Sequence, residues 1–346
     1  MKLRFKKILK KWSRKLWNDF LYCFLGRGYG GNSSLGPQRP ENDPVDHFQR
    51  RPGGSPGKQR AVSPINIFVA ANFRLILSAE TGKIRAEEES MEQKRILLTV
   101  SYDGTAYVGW QYQDNGPSIQ DELEKALKKA LGQFVRVTGA SRTDAGVHAL
   151  GQRAHFDACS SIPPEKYPFV LNRYLPEDIR VTAAKQVADD FHARFMAAGK
   201  IYTYRIHNAP HASAIFRHCT AHVPVRLDEE KMRQCGQALL GTHDFAAFAA
   251  AGGQAKTTVR TIDSFSVERA GEEITIWVHG NGFLYNMVRI IAGTLIDVGH
   301  GKLDTNCMAR AIESKNRLDL GVTAPACGLE LTRVEYDFER EEISHA

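Results

Sequence analysis

The sequence predicts an α+β fold, with two facing α/β subdomains built as ferredoxin-like halves, their sheets antiparallel or mixed, around a central cleft. Three observations carry that prediction. Between residues 96 and 156 the hydrophobic pattern runs strand, helix, strand, loop, strand, an order that packs one helix on one face of a sheet. From residue 200 onward a second series of strand-like and helix-like segments follows a similar plan. Within the first half, the polar loop Ser141-Arg142-Thr143-Asp144-Ala145-Gly146-Val147-His148 sits between two extended segments, which places a carboxylate at the mouth of a sheet. No internal sequence repeat accompanies the two halves, so the duplication is inferred from element order alone.

The elements follow in order. Residues 96–101 form a strand ended by the turn Asp103-Gly104-Thr105, and Tyr107-Val108-Gly109-Trp110-Gln111 continues as a loop. Ser118, followed three residues later by Asp121, resembles a capping box with Asp in place of Glu. Behind it Ile119, Leu123, Ala126, Leu127, Ala130 and Leu131 make one apolar stripe at helical spacing. Residues 134–138 return as a strand, the Asp144 loop follows, and residues 152–156 resume an extended pattern. Residues 200–206 alternate as a strand, with Tyr202 and Tyr204 on one face and Ile201 and Thr203 on the other. A helix is expected over 228–240 and a strand over 274–279. A strongly apolar helix runs over 283–298 and stops at Gly299. A shorter helix near 306–314 and a strand near 329–336 complete the series, giving an N-terminal subdomain over 91–205 and a C-terminal one over 206–346.

Residues 1–90 differ in character. Residues 2–25 read as a basic amphipathic helix, with Leu3, Ile8, Leu9, Trp12, Leu16, Phe20 and Phe24 at helical spacing, suited to a membrane surface or a targeting role. Residues 27–64 are rich in Gly, Pro, Ser and Arg without periodicity and are expected to be disordered. Met91 stands just before the first well-patterned strand. The expectation is that Met91 is the biological start and that residues 1–90 are an extended gene reading rather than part of the mature protein.

Charge sharpens that division. The whole chain carries a formal +7, but residues 1–90 hold 17 Lys and Arg against 8 Asp and Glu, leaving 29 against 31 in the remainder. The basicity therefore belongs to the leading segment, and any nucleic-acid binding by the rest requires a local basic cleft on a near-neutral body. Six scattered cysteines without C-x-x-C spacing read as free thiols of a reducing, cytoplasmic compartment, and nothing in them suggests a metal site. No apolar run reaches the 18 residues needed to span a bilayer, and residues 91–346 are expected to make no stable membrane association.

Asp144 is the residue around which chemistry is expected. In extended backbone, residues i and i+2 project to one face, so Arg142 and Asp144 can share a cleft. A guanidinium that close lowers an aspartate's pKa by about 1–3 units, which suits a nucleophile better than a general acid. A structural ion pair on a surface loop is the competing reading. His148, His155 and His192 lack metal-ligand spacing and read as structural or polar contacts. Trp110, Phe156 and Tyr204 read as core, and Lys125, Lys128 and Lys129 as a solvated helix face.

From about residue 94 to 336 the chain resembles the bacterial-type tRNA pseudouridine synthase A family. Ser141-Arg142-Thr143-Asp144-Ala145-Gly146-Val147-His148-Ala149, continued by Gly151-Gln152 and His155-Phe156, is similar to the family's catalytic loop. Tyr102-Asp103-Gly104 with Gly109-Trp110-Gln111 resembles its first strand and turn. Phe191-His192-Ala193-Arg194-Phe195 with Tyr202-Thr203-Tyr204 resembles its tyrosine motif. Phe283-Leu284-Tyr285-Asn286-Met287-Val288-Arg289 resembles its arginine motif and Gly328-Leu329 its C-terminal one. Ser141 stands where many members have glycine, and the first ninety residues have no counterpart in a typical member.

The resemblance implies isomerisation of uridine to pseudouridine at positions 38, 39 and 40 of the tRNA anticodon stem-loop, by a homodimer that uses no cofactor and no metal and holds RNA in its central cleft. It further implies that Asp144 is the nucleophile, that Tyr202 stacks on the target base, that Arg142 and Arg289 line the site, and that Leu329 completes the apolar wall. Arg289 is then a candidate partner that keeps Asp144 ionised and Arg142 a candidate wedge or phosphate contact, two jobs that sequence leaves interchangeable. Two alternatives remain at this level: an aspartate-dependent nucleoside hydrolase, which ordinarily needs a second carboxylate, and a non-catalytic RNA-binding module.

Overall fold

The computed structural model describes residues 92–339. The amphipathic helix, the Gly/Pro-rich stretch and the proposed start at Met91 lie outside the described residues.

The architecture is α+β, built on one mixed sheet. The first strand, β1 (Gln93–Tyr102), is buried on both faces along Ile96, Leu97 and Leu98, the signature of a central strand. It pairs antiparallel with β3 (His148–Cys159) on one side and β4 (Ile179–Val187) on the other. The second half supplies β5 (Gly199–His207), β7 (Gly241–Asp244), β8 (Val259–Ala270) and β9 (Glu273–Gly280), paired antiparallel as β5–β9, β9–β8 and β8–β7. The last strand, β10 (Leu329–Glu335), lies parallel to β3 through Glu330 and Leu331 and antiparallel to β5. It thereby carries the sheet from one half of the chain to the other, in the order β4-β1-β3-β10-β5-β9-β8-β7. Two short strands, β2 (Thr138–Gly139) and β6 (Ala221–His222), attach to β3 and β5.

Helix α1 (Ile119–Leu131) follows from its ends inward. Ser118 Oγ accepts the Asp121 N–H at 3.3 Å, and Gly132 closes the helix in the left-handed region at φ 81°. Asp121 and Glu122 sit in the first turn and Lys128 and Lys129 in the last, each complementing the helix dipole. The expected strand over 134–138 shrinks to β2 because α1 takes over its hydrogen bonds. Glu124 Oε1 accepts the Val137 N–H at 3.0 Å, and Gln120 Nε2 donates to the Val137 carbonyl at 3.2 Å. Backbone groups satisfied by side chains have no need of a neighbouring strand.

Four further helices lie wholly within the described residues: α2 (Tyr167–Leu171), α3 (Glu229–Gly236), α4 (Met287–Gly299) and α5 (Cys307–Ser314). The helix expected over 228–240 is α3 followed by a 3-10 turn over Gln237–Leu239. The apolar helix expected from 283 begins only at Met287, because Asn286 adopts φ 59° and a right-handed helix cannot pass through a left-handed residue. Phe283, Leu284 and Tyr285 are thereby released from the helix into a loop. Among the described residues no helix is long and apolar enough to cross a membrane.

Candidate active site

The Asp144 loop is fastened along its whole length. Its backbone forms an isolated bridge to Gly109, with the Trp110 N–H donating to the Thr143 carbonyl at 3.0 Å and the Gly146 N–H to the Tyr107 carbonyl at 3.3 Å. Gly109 sits at φ +115°, and a Cβ there would lie 2.5 Å from the Thr143 oxygen, so this approach requires a residue without a side chain. Upstream, wholly buried Gln152 accepts the Ser141 N–H through Oε1 at 3.2 Å and donates Nε2 to the Ser141 carbonyl at 2.7 Å. The Thr143 and Tyr102 hydroxyls meet at 2.8 Å in the interior. With Thr143 directed inward, Asp144 is the acidic side chain the loop offers, and it keeps 27 % exposure.

Arg289, not Arg142, is the cation beside it. Arg289 Nη1 lies 3.9 Å from Asp144 Oδ2. The guanidinium is itself held: Nη1 donates to Asn286 Oδ1 at 2.9 Å and Nε to the Ala324 carbonyl at 2.8 Å. The left-handed turn at Asn286 therefore has a purpose, since it starts α4 where its first turn aims Arg289 at the loop. Arg142 points elsewhere. Its side chain is exposed, and Nη1 donates to Gln254 Oε1 at 2.9 Å on the rim of the site. The depressed aspartate pKa expected from an adjacent Arg142 is not found. Burial pushes the Asp144 carboxyl above its ordinary value, and the Arg289 charge pulls it partway back.

Tyr202 stands on β5 within reach of the same loop. Its ring is buried edge-on to Phe283, with centroids 5.0 Å apart at 80°, and its hydroxyl meets Ser141 Oγ at 3.0 Å. Burial pushes the phenol up to about 12; the Ser141 hydrogen bond opposes this, and the nearby Asp144 charge adds to it. At neutral pH the phenol is thus uncharged. Leu329 opens β10 and is buried opposite Tyr204, two residues before Leu331, which pairs with Tyr202. The segment leading into Leu329 also serves Arg289 through Ala324, and its Ala326 methyl approaches Gly146 of the Asp144 loop.

Lys200 is a contributor that sequence reasoning missed. Its ammonium donates to the Ala140 carbonyl at 3.0 Å and to Ser141 Oγ at 3.4 Å, bracing the loop from β5. Burial, then the Arg194 and Arg260 charges, push it down to about 8. Its position two residues before Tyr202 on an alternating strand was the available signal, because both side chains then face the same way. The histidines are structural where they are buried. His148 Nδ1 accepts the Gly104 N–H at 3.1 Å, and His155 Nδ1 accepts the Ala193 N–H at 3.2 Å. Tyr204 donates to the Pro325 carbonyl from the core, and Lys125 pairs with Asp121 and Glu122 on the face of α1. Among the described residues no group of three His, Cys, Asp or Glu side chains is arranged to hold a metal ion.

A loop carboxylate, a guanidinium held on a helix start and a buried tyrosine on a mixed sheet define the class. The sequence model of the family described as tRNA pseudouridine synthase matches residues 98–196 and 236–337, and the chain belongs to that family. It is a pseudouridine synthase, an isomerase. The protein named tRNA pseudouridine synthase A from Acetivibrio thermocellus is 49 % identical over 243 residues, covering 70 % of this chain and 100 % of that relative. The proteins of the same name from Ruminiclostridium cellulolyticum and Bacillus licheniformis are 49 % and 46 % identical, each over 70 % of this chain and 100 % and 99 % of their own length.

Proposed function

We propose that this chain isomerises uridine to pseudouridine at positions 38, 39 and 40 of the tRNA anticodon stem-loop, as a cytoplasmic homodimer, with Asp144 as the nucleophile. The observation that carries the reading is the convergence of a part-exposed Asp144, Arg289 at 3.9 Å and the buried Tyr202 ring on one rigid loop. The relatives that span this chain's organised region carry the name tRNA pseudouridine synthase A, which supports the coarser activity.

The reaction breaks the bond from N1 of the base to the sugar carbon and makes one from C5 to the same carbon. C5 loses a proton and N1 gains one, so the product is an isomer and no electron leaves the system. The base must first leave its stack, at roughly a few kcal/mol. Stacking on the neutral Tyr202 ring offsets this by about 1–3 kcal/mol. Asp144, whose ionised form Arg289 favours against burial, attacks and holds the reacting fragment while the base turns. Arg142 on the rim is placed to meet phosphate or the space the base vacates, and Leu329 closes the apolar side of the pocket.

Unmodified tRNA carrying tritium at C5 of its uridines tests this reading. The full-length chain is expected to release tritium to water without free uracil, and Asp144→Ala to release none. Free uracil would mean hydrolysis, and label release by Asp144→Ala would remove the nucleophile.

A further inference from the structure

A groove of ≈ 280 Å³ adjoins the Asp144 loop and shares Arg142 with the chemistry above. Arg136, Arg142, Arg194, His192, Phe195 and Gln111 line it, and no acidic side chain does. Its charge is poorly compensated. Among the described residues Arg142 donates to the neutral amide of Gln254, and Arg136 stays 65 % exposed at 3.6 Å from Glu124. Burial is the main cause that lowers the pKa of His192 and of Lys200, and the Arg194 charge adds to both. The electrostatic floor of the groove is therefore positive.

Phe195 gives the groove an aromatic surface. It is 76 % exposed and its ring leans on its neighbours: its centroid lies 4.3 Å from that of His192 at 34°, and the Arg194 guanidinium sits 5.7 Å away. His192 is held in turn, since its Nδ1 accepts the Arg194 N–H at 3.1 Å and its ring meets His155 edge-on at 5.1 Å. An outward ring beside guanidiniums is the arrangement that holds single-stranded nucleic acid.

We propose that this groove is a second nucleotide subsite. It takes a nucleotide next to the one being isomerised, stacking its base on Phe195 and its phosphates against Arg194 and Arg136. The proposal rests on the RNA-modifying reading given above and extends it. The groove is joined to the reacting centre by Arg142, two residues from Asp144, so a strand delivering uridine to Asp144 runs its neighbour across Phe195. Its volume, at the small end of ligand pockets of roughly 300–1,000 Å³, suits one nucleotide better than a protein element.

The test uses the full-length chain and an unmodified tRNA stem-loop in which each nucleotide flanking the target is replaced, one at a time, by an abasic residue. Phe195→Ala is expected to weaken binding of the intact RNA about tenfold, which is ~1.4 kcal/mol, and Phe195→Trp to restore it. At one flanking position the abasic RNA is expected to bind wild type about tenfold more weakly while adding no further loss in Phe195→Ala. Arg194→Ala and Arg136→Ala are each expected to reduce the slope of log Kd against log salt by roughly 0.7–0.9. Additive losses at every position would overturn the subsite. A Phe195→Ala effect that instead tracks a fall in the free protein's mass by sedimentation equilibrium would reassign the ring to an interface between copies. Absence of tritium release by wild type would strike the functional reading instead. Normal release with unimpaired Phe195→Ala binding would strike only the subsite.

Discussion

Replacing Lys200 with methionine separates what its ammonium costs the fold from what it gives the loop. In the folded protein Lys200 titrates at about 8, chiefly through burial, against about 10.4 for lysine in an unfolded chain. Between those values the unfolded chain binds more protons than the folded one, so stability rises with pH across the window. The penalty is fully present below about pH 8. Some 2.4 units at about 1.36 kcal/mol each make it about 3 kcal/mol. Methionine has a similar stem and no charge to desolvate, but it cannot donate to the Ala140 carbonyl or to Ser141 Oγ. Lys200→Met is therefore expected to be at least as stable as wild type at pH 7. That advantage shrinks by about 3 kcal/mol on going to pH 10.5, as read from urea titrations extrapolated to water at each pH. With two braces gone from the loop that carries Asp144, kcat is expected to fall about tenfold while the KM for tRNA changes little. Parallel pH profiles for the two proteins, or an unchanged kcat, would refute the reasoning.

Asp144→Asn is expected to abolish turnover yet stabilise the protein at pH 7. The folded carboxyl titrates above its unfolded value, so ionisation costs stability above the folded pKa. That gain should disappear as pH falls towards about 4, which urea midpoints can follow. Arg289→Met removes the charge that restrains this shift and is expected to move the acid limb of the kcat profile to higher pH; an unmoved limb would disconnect the pair. Tyr202→Phe keeps the ring and loses the Ser141 hydrogen bond, so tRNA affinity should hold while thermal unfolding reports a loss of about 1 kcal/mol. Gly109→Ala forces a Cβ to within 2.5 Å of the Thr143 oxygen at φ +115° and is expected to cost about 1–3 kcal/mol and to lower kcat by displacing the loop.

What could be read from the sequence was what depends on neighbours along the chain. The β1, β5 and β9 strands declare themselves through runs of β-branched residues between turn formers, and α1 through Ser118 and its apolar stripe. The 12-residue β8 is not visible in this way, because a register shift between Ile262 and Ser264 breaks its alternation. Nor is β4, an edge strand buried at little more than Ile179 and Val181. The same division runs through the site. The Asp144 loop and Tyr202 stand out as sequence, whereas the electrostatics do not. Sequence proximity favoured Arg142 and the motif resemblance Arg289 as the partner of Asp144; tertiary packing supplies Arg289 from α4, and burial reverses the expected pKa shift. Lys200 stayed hidden because a lysine entering a strand reads as a solvated end until the fold closes over it.

Position-resolved pseudouridine mapping on unmodified tRNA, after incubation with the full-length chain and with Asp144→Ala, addresses the central claim most directly. Pseudouridine is expected at 38, 39 and 40 with the wild-type chain, and uridine at all three with Asp144→Ala although the variant still binds tRNA. Pseudouridine formed at those positions by Asp144→Ala, or none formed there by wild type, would contradict the claim.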